Sequence, residues 1–565
     1  MCSGYAYALM YRVWTASAGA RFAHRWCADC RYYHLRRYHC HGNVWTALCL
    51  SLYSGNLTAD NRRALAASMV YLLKFTKRNL LRRLGPRPGS VWPHLVYVCV
   101  TIILCAPSIY AWRLLPFDVG AREFDYFLKQ WTNPLLGQLI HFSSFLALGE
   151  LYRRFLFREF VPPNWLLLSA AGIWLLSVPW ISPDVFFSLS KGWMEIQYGL
   201  NPYTTPLSSL PSYRSDPMFV AVVPALGKVL GNYGPAFQLL SSVLAWISGG
   251  NPKLALLLFK LISTGALMGV FVQARAIHAR LHGQAAAELV PAALLLNPLV
   301  LACVVGAAHN DVLLVLLMLL SARALIGGRA ILSGVCIGLA VSIKISAIFM
   351  VPALVFAPMA GPLNRAGFRT SFLTAMGFVA GCAFGLGVRP ESFGYFAGWV
   401  GNENAYFRST IYIILRPLLN SFVENGQNSL LRIGQLCFIV VGIVRLITLG
   451  RLSRGNHVLF IVRGSLELML LGQLLAMQMM NEWYLLPPIV FALILHGKAE
   501  TAWVTRVSAL YMPIVIWAVI GNGLVVFLAQ SAIVLIFAIE TLEYLVQTRT
   551  AGLSPTAPKA TGMAQ

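Results

Sequence analysis

Apolar residues come in long blocks separated by short polar stretches. Most blocks are about 17–23 residues long, the length an α-helix needs to cross a bilayer. They lie at 91–112, 136–151, 165–181, 254–272, 289–305, 313–320, 331–343, 349–359, 372–388, 431–449, 458–479, 483–495, 504–520 and 525–539. Three of them (313–320, 331–343 and 349–359) are short for spans. No run of evenly spaced alternating strands is present, which argues against a β-barrel. The pattern predicts an all-α polytopic membrane protein with about 14 transmembrane helices.

One stretch departs from this pattern. After the block 165–181 the chain reads S-P-D-V-F-F-S-L-S-K-G-W-M-E-I-Q-Y-G-L-N-P-Y from Ser182 to Tyr203. Val185, Phe186, Leu189, Trp193, Ile196 and Leu200 recur at three- and four-residue steps, which suits a helix lying in the membrane interface. Asn201-Pro202 ends it. The block 236–247 is short and reads as a second interfacial helix. That choice keeps Arg275, His278, Arg280 and His282 on the cytoplasmic side, as the positive-inside rule requires. Residues 183–252 then form a long extracytoplasmic loop of the kind that carries active sites. The same rule puts Arg323, Arg329, Arg365, Arg369 and Lys498 inside, with both termini in the cytoplasm.

Composition agrees with a multi-pass membrane protein. The chain is 58% hydrophobic and 11% charged, with mean hydropathy +0.67, against about a quarter charged in soluble domains. The net charge of +24 sits in short loops between apolar blocks, so it reads as topology and not as a nucleic-acid footprint. Residues 1–90 hold fourteen Arg or Lys against Asp29 and Asp60. They read as a disordered basic cytoplasmic tail, or as sequence upstream of a true start at Met69. Cys27, Cys30, Cys40 and His41 lack a second clean ligand pair for a zinc site. Residues 91–545 are the membrane domain and 546–565 a disordered tail.

The predicted topology brings Asp184, His309, Asn310, Asp311, Lys344, Arg408 and Glu482 to the outer face, with Tyr203 in the long loop. An acid where a span meets water is costly to place and is a functional candidate. Each residue also has a plainer role. Asp184 can cap its helix, and His309-Asn310-Asp311 can cap the next one. Lys344 can snorkel, and Glu482-Trp483-Tyr484 can anchor an aromatic belt. As a group they suit sugar transfer from an anionic lipid-linked donor. A base, Asp184, takes the proton of an acceptor hydroxyl. Cations, Lys344 and Arg408, hold a phosphate leaving group. A strong general acid is not needed, and a single base favours inversion, unlike the paired carboxylates of a glycosidase. No cofactor is required. A divalent metal at Asp184, Asp311 and Glu482 is compatible with the set but not demanded by its spacing.

Asp184-Val185 with Tyr198-Gly199-Leu200-Asn201-Pro202-Tyr203 resembles the first active-site loop of the polyprenol-phosphomannose-dependent α-1,6-mannosyltransferases of actinobacteria. So do Tyr233-Gly234-Pro235, Asn297-Pro298-Leu299-Val300, Gly306-Ala307-Ala308-His309-Asn310-Asp311 and Trp483-Tyr484-Leu485. The resemblance covers about residues 165–500. It implies a GT-C fold, a polyprenyl-phosphate sugar donor in the bilayer, a glycan or lipoglycan acceptor, and Asp184 as catalytic base. It implies donor or acceptor contacts at His309, Asn310, Asp311 and Lys344. Pro183 stands where the family usually has Arg, and Phe186-Phe187-Ser188 where it has Tyr-Ser-Tyr, so the donor sugar stays open. Two rival classes share the hydropathy pattern: a flippase or exporter of lipid-linked sugars, and a non-catalytic glycan-assembly subunit.

Overall fold

A computed structural model describes residues 91–114, 135–157, 162–179, 182, 184–213, 215–220, 222, 224–231, 233–284, 289–360, 364–388, 390–392, 426–453, 455–477, 481–520 and 524–550. The chain divides into two units, Met1–Pro93 and His94–Gln565. The first lies almost wholly outside the described residues, as do Arg408 and the expectations placed on residues 1–90 and 551–565.

The second unit is helical, with no strand among the described residues. Six described helices are long and apolar enough to cross a membrane: Trp92–Tyr110, Pro252–His282, Arg365–Gly387, Ser429–Leu452, His457–Leu475 and Ser531–Thr548. A bent pair, Pro298–Gly306 with Asp311–Ile326, makes a seventh if taken as one span. The fourteen apolar blocks do not each become a long helix. The block 165–181 yields the 13-residue Asn164–Leu176, and the block 289–305 breaks at Asn297-Pro298, where proline cannot continue the preceding helix. Elsewhere helices overrun the apolar pattern. Pro252–His282 carries Arg275, His278, Arg280 and His282 as helical residues, not loop residues, and stops only at Gly283, whose φ is 88°. The last helix, Leu524–Thr550, likewise runs past Val546.

Two helices pack through small residues. Gly334 and Gly338 of Ala330–Ile343 face Gly377 and Gly381 of Arg365–Val388. A Cβ on Gly334 would lie 2.1 Å from the Thr374 carbonyl, and one on Gly381 2.5 Å from that of Val335. Both sequences read Gly-x-x-x-Gly, the pattern that lets membrane helices approach backbone to backbone.

Both segments read as interfacial are helices in the structure. Asp184–Tyr198 and Pro235–Ile247 are both amphipathic helices, and Gly192 abuts the Ser241 backbone so closely that a Cβ would clash at 2.4 Å. Glu195 accepts from Ser242 Oγ at 2.6 Å across the same contact. Asp216 fixes the outer side of the first helix, accepting from Trp193 Nε1 at 2.9 Å and the Tyr198 hydroxyl at 2.8 Å. Lys191, buried beneath, donates to the Thr205 carbonyl at 2.9 Å and ties down the 201–206 loop.

Candidate functional site

The site is built where three chain breaks meet. The first is the start of the helix Asp184–Tyr198. Asp184 does not cap this helix as an acceptor for its own backbone; Ser182 Oγ instead accepts the Asp184 N–H at 3.3 Å. The carboxylate accepts from the Tyr233 hydroxyl at 2.9 Å, and His309 Nε2 lies 3.4 Å from the same oxygen. The Asp184 side chain remains 25% exposed, whereas His309 and Asp311 are buried.

The second break is the turn 307–310. Asn297 caps the residues after it, its Oδ1 accepting from the Leu299 and Val300 N–H groups. A π-helical turn, Leu301–Gly306, follows, and such turns concentrate at functional sites. Ala308 then adopts φ 53°, a left-handed conformation that costs a non-glycine residue about 1–2 kcal/mol. The chain bends by 110° before Asp311–Ile326. This bend aims His309 and Asp311 at the first break. Asn310 occupies the N-cap position without making a cap hydrogen bond, so the plain capping role does not hold for it. Both polar atoms of its buried amide lack a hydrogen-bond partner.

The third break is the C-terminal end of Ala330–Ile343. Lys344 does not snorkel: it is buried and its ammonium donates to both Asp311 oxygens, at 3.0 and 2.8 Å. It also lies 3.8 Å from the centre of the Tyr484 ring and 5.9 Å from that of Tyr233. Gly234 makes this junction possible. Its N–H donates to the Ile343 carbonyl at 3.0 Å, and a Cβ there would lie 2.2 Å from the Ser342 oxygen.

The result is a chain of polar contacts, Tyr233–Asp184–His309–Asp311–Lys344. His309 Nδ1 is 3.1 Å from Asp311, so its two nitrogens face two carboxylates. Burial opposes the imidazolium, but the adjacent Asp184 and Asp311 carboxylates outweigh it and raise the His309 pKa. Burial also opposes the Asp184 carboxylate, yet the contacts with His309 and Tyr233 and the charge of Lys344 hold its pKa below the ordinary value. Burial followed by the Asp184 charge keeps the Tyr233 phenol protonated, well above its usual range. Glu482 is buried nearby, and burial pushes its carboxyl up to about 7. Trp483 stacks on His309.

Of the eight sequence-predicted residues, Asp184, His309, Asp311 and Lys344 are brought into direct contact, with Asn310 beside them and Glu482 close enough to feel their charges. Tyr203 acts one step back, its hydroxyl donating to the Tyr233 carbonyl at 3.0 Å. Four contributors are not among the predicted residues. Tyr233 lies in the Tyr-Gly-Pro motif, to which the sequence assigns no role. Trp483 and Tyr484 read from the sequence as belt anchors. Lys260 sits inside an apolar run, where a lone lysine is itself a signal. Fully buried, it donates to the carbonyls of Trp174 at 3.1 Å, Gly306 at 3.0 Å and Ser177. It thereby joins the segment leading into Asp184 to the one leading into His309. Among the described residues no group of three or more His, Cys, Asp or Glu side chains is arranged to hold a metal ion.

Comparison with known proteins agrees with the motif resemblance. Residues 126–360 match the family model for the alpha-(1->6)-mannopyranosyltransferase N-terminal domain. The chain is 30% identical over 205 residues, 36% of its length, to alpha-(1->6)-mannopyranosyltransferase A of Mycobacterium tuberculosis (strain ATCC 25618 / H37Rv). It spans 38% of the length of that curated relative. No solved structure matches. The family match contains every described site residue except Glu482, Trp483 and Tyr484.

Proposed function

With the mannosyltransferase family as premise, we propose that this protein is a polytopic GT-C-type membrane glycosyltransferase. It moves mannose from a polyprenyl-phosphate donor to an extracytoplasmic glycan or lipoglycan acceptor. The observation that carries this reading is the state of Asp184. Its carboxylate is fixed on one side by Tyr233 and His309 and open on the other.

In this mechanism the acceptor hydroxyl approaches the open side of Asp184. As its oxygen attacks the anomeric carbon, its proton passes to the carboxylate, and the bond from that carbon to the phosphate oxygen breaks. The phosphate departs as a stable anion, so no acid is needed to protonate it. Displacement in line inverts the sugar carbon. Lys344 and the unpartnered Asn310 amide are the donor groups closest to hand for the phosphate. His309, held between Asp184 and Asp311, keeps the base oriented. A carboxylate held below its ordinary pKa is a modest base, but it is ionised throughout the neutral range, and proximity supplies the rest.

The helix directions support an extracytoplasmic site. Asp311–Ile326 leaves the site and ends near Arg323, and Ala330–Ile343 begins beside Arg329 and returns to Lys344. Positive residues thus gather at the end away from the site, which the positive-inside rule assigns to the cytoplasm. The rival readings, a flippase and a non-catalytic subunit, do not require an acid so fixed. Transfer of labelled mannose from polyprenyl-phosphate-mannose to an oligomannose acceptor, in membranes holding wild type or Asp184→Asn, tests the proposal. Transfer lost in the variant at equal protein level supports it; equal transfer removes Asp184 as base.

A further inference from the structure

A cavity of about 770 Å³ lies at the end of the bundle away from Asp184, between the start of Ala330–Ile343 and the start of Arg365–Val388. Its walls include Arg329, Arg365 and Arg369, and no acidic residue. All three arginines are exposed. Among the described residues none of their guanidinium groups has a hydrogen bond or ion pair. Three cations facing one hollow repel one another unless an anion enters it, and guanidinium forks match phosphate oxygens in pairs. Both helices also begin at this hollow, so their positive ends add to the same field.

Apart from Thr370, the rest of the wall is apolar. Ile331 and Leu332, which line the cavity, are 55% and 46% exposed. Phe368 and Phe372, on the helix that supplies Arg365 and Arg369, are 67% and 56% exposed. Basic groups lining a hollow beside bare apolar side chains fit a phosphate on a lipid tail better than a free ion. Depth agrees. Ala330–Ile343 has 14 residues and so spans about 21 Å at 1.5 Å per residue, which puts the cavity on the opposite side from Lys344.

We propose that this pocket binds the phosphate headgroup of an anionic phospholipid in the leaflet opposite the candidate catalytic site. The inference rests on the chain spanning a membrane, not on mannose transfer. Basic pockets between membrane helices on the cytoplasmic side are suited to such headgroups.

Native mass spectrometry of the full-length protein, purified in detergent with phosphatidylglycerol or phosphatidylcholine, reads the binding directly. The variants are Arg329→Gln/Arg365→Gln/Arg369→Gln and a control triple, Arg280→Gln/Arg451→Gln/Lys498→Gln, which removes equal charge elsewhere. The altered side chains of the first triple are exposed, so packing survives their loss. Wild type and control are expected to retain phosphatidylglycerol, and the pocket triple to bind it on the order of 100-fold more weakly, from about 5-fold per basic residue. Arg329→Lys/Arg365→Lys/Arg369→Lys is expected to bind in between, because charge persists without the planar fork. Equal weakening in the control would overturn the proposal in favour of a diffuse surface field. Equal binding of phosphatidylcholine, or full displacement by inorganic phosphate, would overturn it in favour of a non-headgroup or free-anion site.

Discussion

The His309 imidazole lies flat against the Trp483 indole, with ring centroids 3.8 Å apart and planes 17° apart. The contact joins the bend after the π-helical turn to the short Glu482–Leu485 turn far along the chain. It packs against the ring that stands between two carboxylates, so any effect of Trp483 on Asp184 runs through His309. Such a stack is worth about 0.5–1.5 kcal/mol. Trp483→Leu is therefore expected to lower kcat about 3- to 10-fold with little change in folding, and Trp483→Phe to recover most of the loss. A steady-state comparison of the three proteins checks this; equal kcat in all three would remove Trp483 from the positioning of His309.

Asp184→Asn is expected to lower transfer by 10²–10⁴-fold, the usual range for a lost general base. Tyr233→Phe keeps the base but removes its 2.9 Å hydrogen bond, and a bond to a charged group is worth about 1.5–3 kcal/mol. Its expected loss is about 10- to 100-fold. The two changes share one network, so the double variant should be no worse than Asp184→Asn alone. Multiplicative losses in the double variant would mean that Tyr233 acts elsewhere, for instance on substrate.

Much of this site was legible because each part ends an apolar run. Asp184, His309-Asn310-Asp311 and Lys344 stand where hydropathy switches sign, and polar groups there need a reason. The pairing among them was not legible. The sequence places Lys344 and Asp311 at one depth, but only the 110° bend and the contact at Gly234 bring them within 3.0 Å. The hydropathy pattern was also silent about breaks inside an apolar block, which is why 289–305 read as one span. Lys260 was hidden by its neighbours: averaged over a window, one lysine among leucines does not register.

Lys344→Met leaves Asp311 fully buried without its cation. Removing one partner of a buried pair costs about 3–5 kcal/mol, so this variant is expected to melt well below wild type. Lys344→Met/Asp311→Leu removes both charges and should recover most of the stability but none of the transfer. Thermal unfolding in detergent, run beside the transfer assay, separates the two effects. Recovery of activity in the double variant would show that the pair is structural only.

Lys260→Met leaves the carbonyls of Trp174, Ser177 and Gly306 without their shared donor. At about 1–3 kcal/mol per buried unsatisfied group, with some relaxation, the expected destabilisation is about 2–4 kcal/mol. If Lys260 positions the site, Lys260→Arg should keep more stability than activity, because a bulkier donor satisfies carbonyls while shifting the two segments. Stability and kcat falling in strict proportion would assign Lys260 to folding alone.

Glu482 gives the site a pH dependence of its own. Burial favours its neutral form and moves its pKa from 4.5 to about 7. The folded protein therefore holds a proton that the unfolded chain releases above its ordinary pKa. Stability is fully favoured by this group below about 4.5 and falls as pH rises to about 7. Asp184 runs the other way: its pKa is lowered, so the stability it contributes is present at neutral pH and is lost only in acid. Ionised Glu482 adds negative charge near Asp184, where the proposed anionic donor would bind. KM for the lipid-phosphate donor is therefore expected to rise through pH 7 in wild type and to stay level in Glu482→Gln. The imidazole of His309, with its pKa raised, produces any later step, and that step should survive in Glu482→Gln. A KM profile in Glu482→Gln that still turns near pH 7 would assign the titration to His309 and leave Glu482 as a neutral wall of the site.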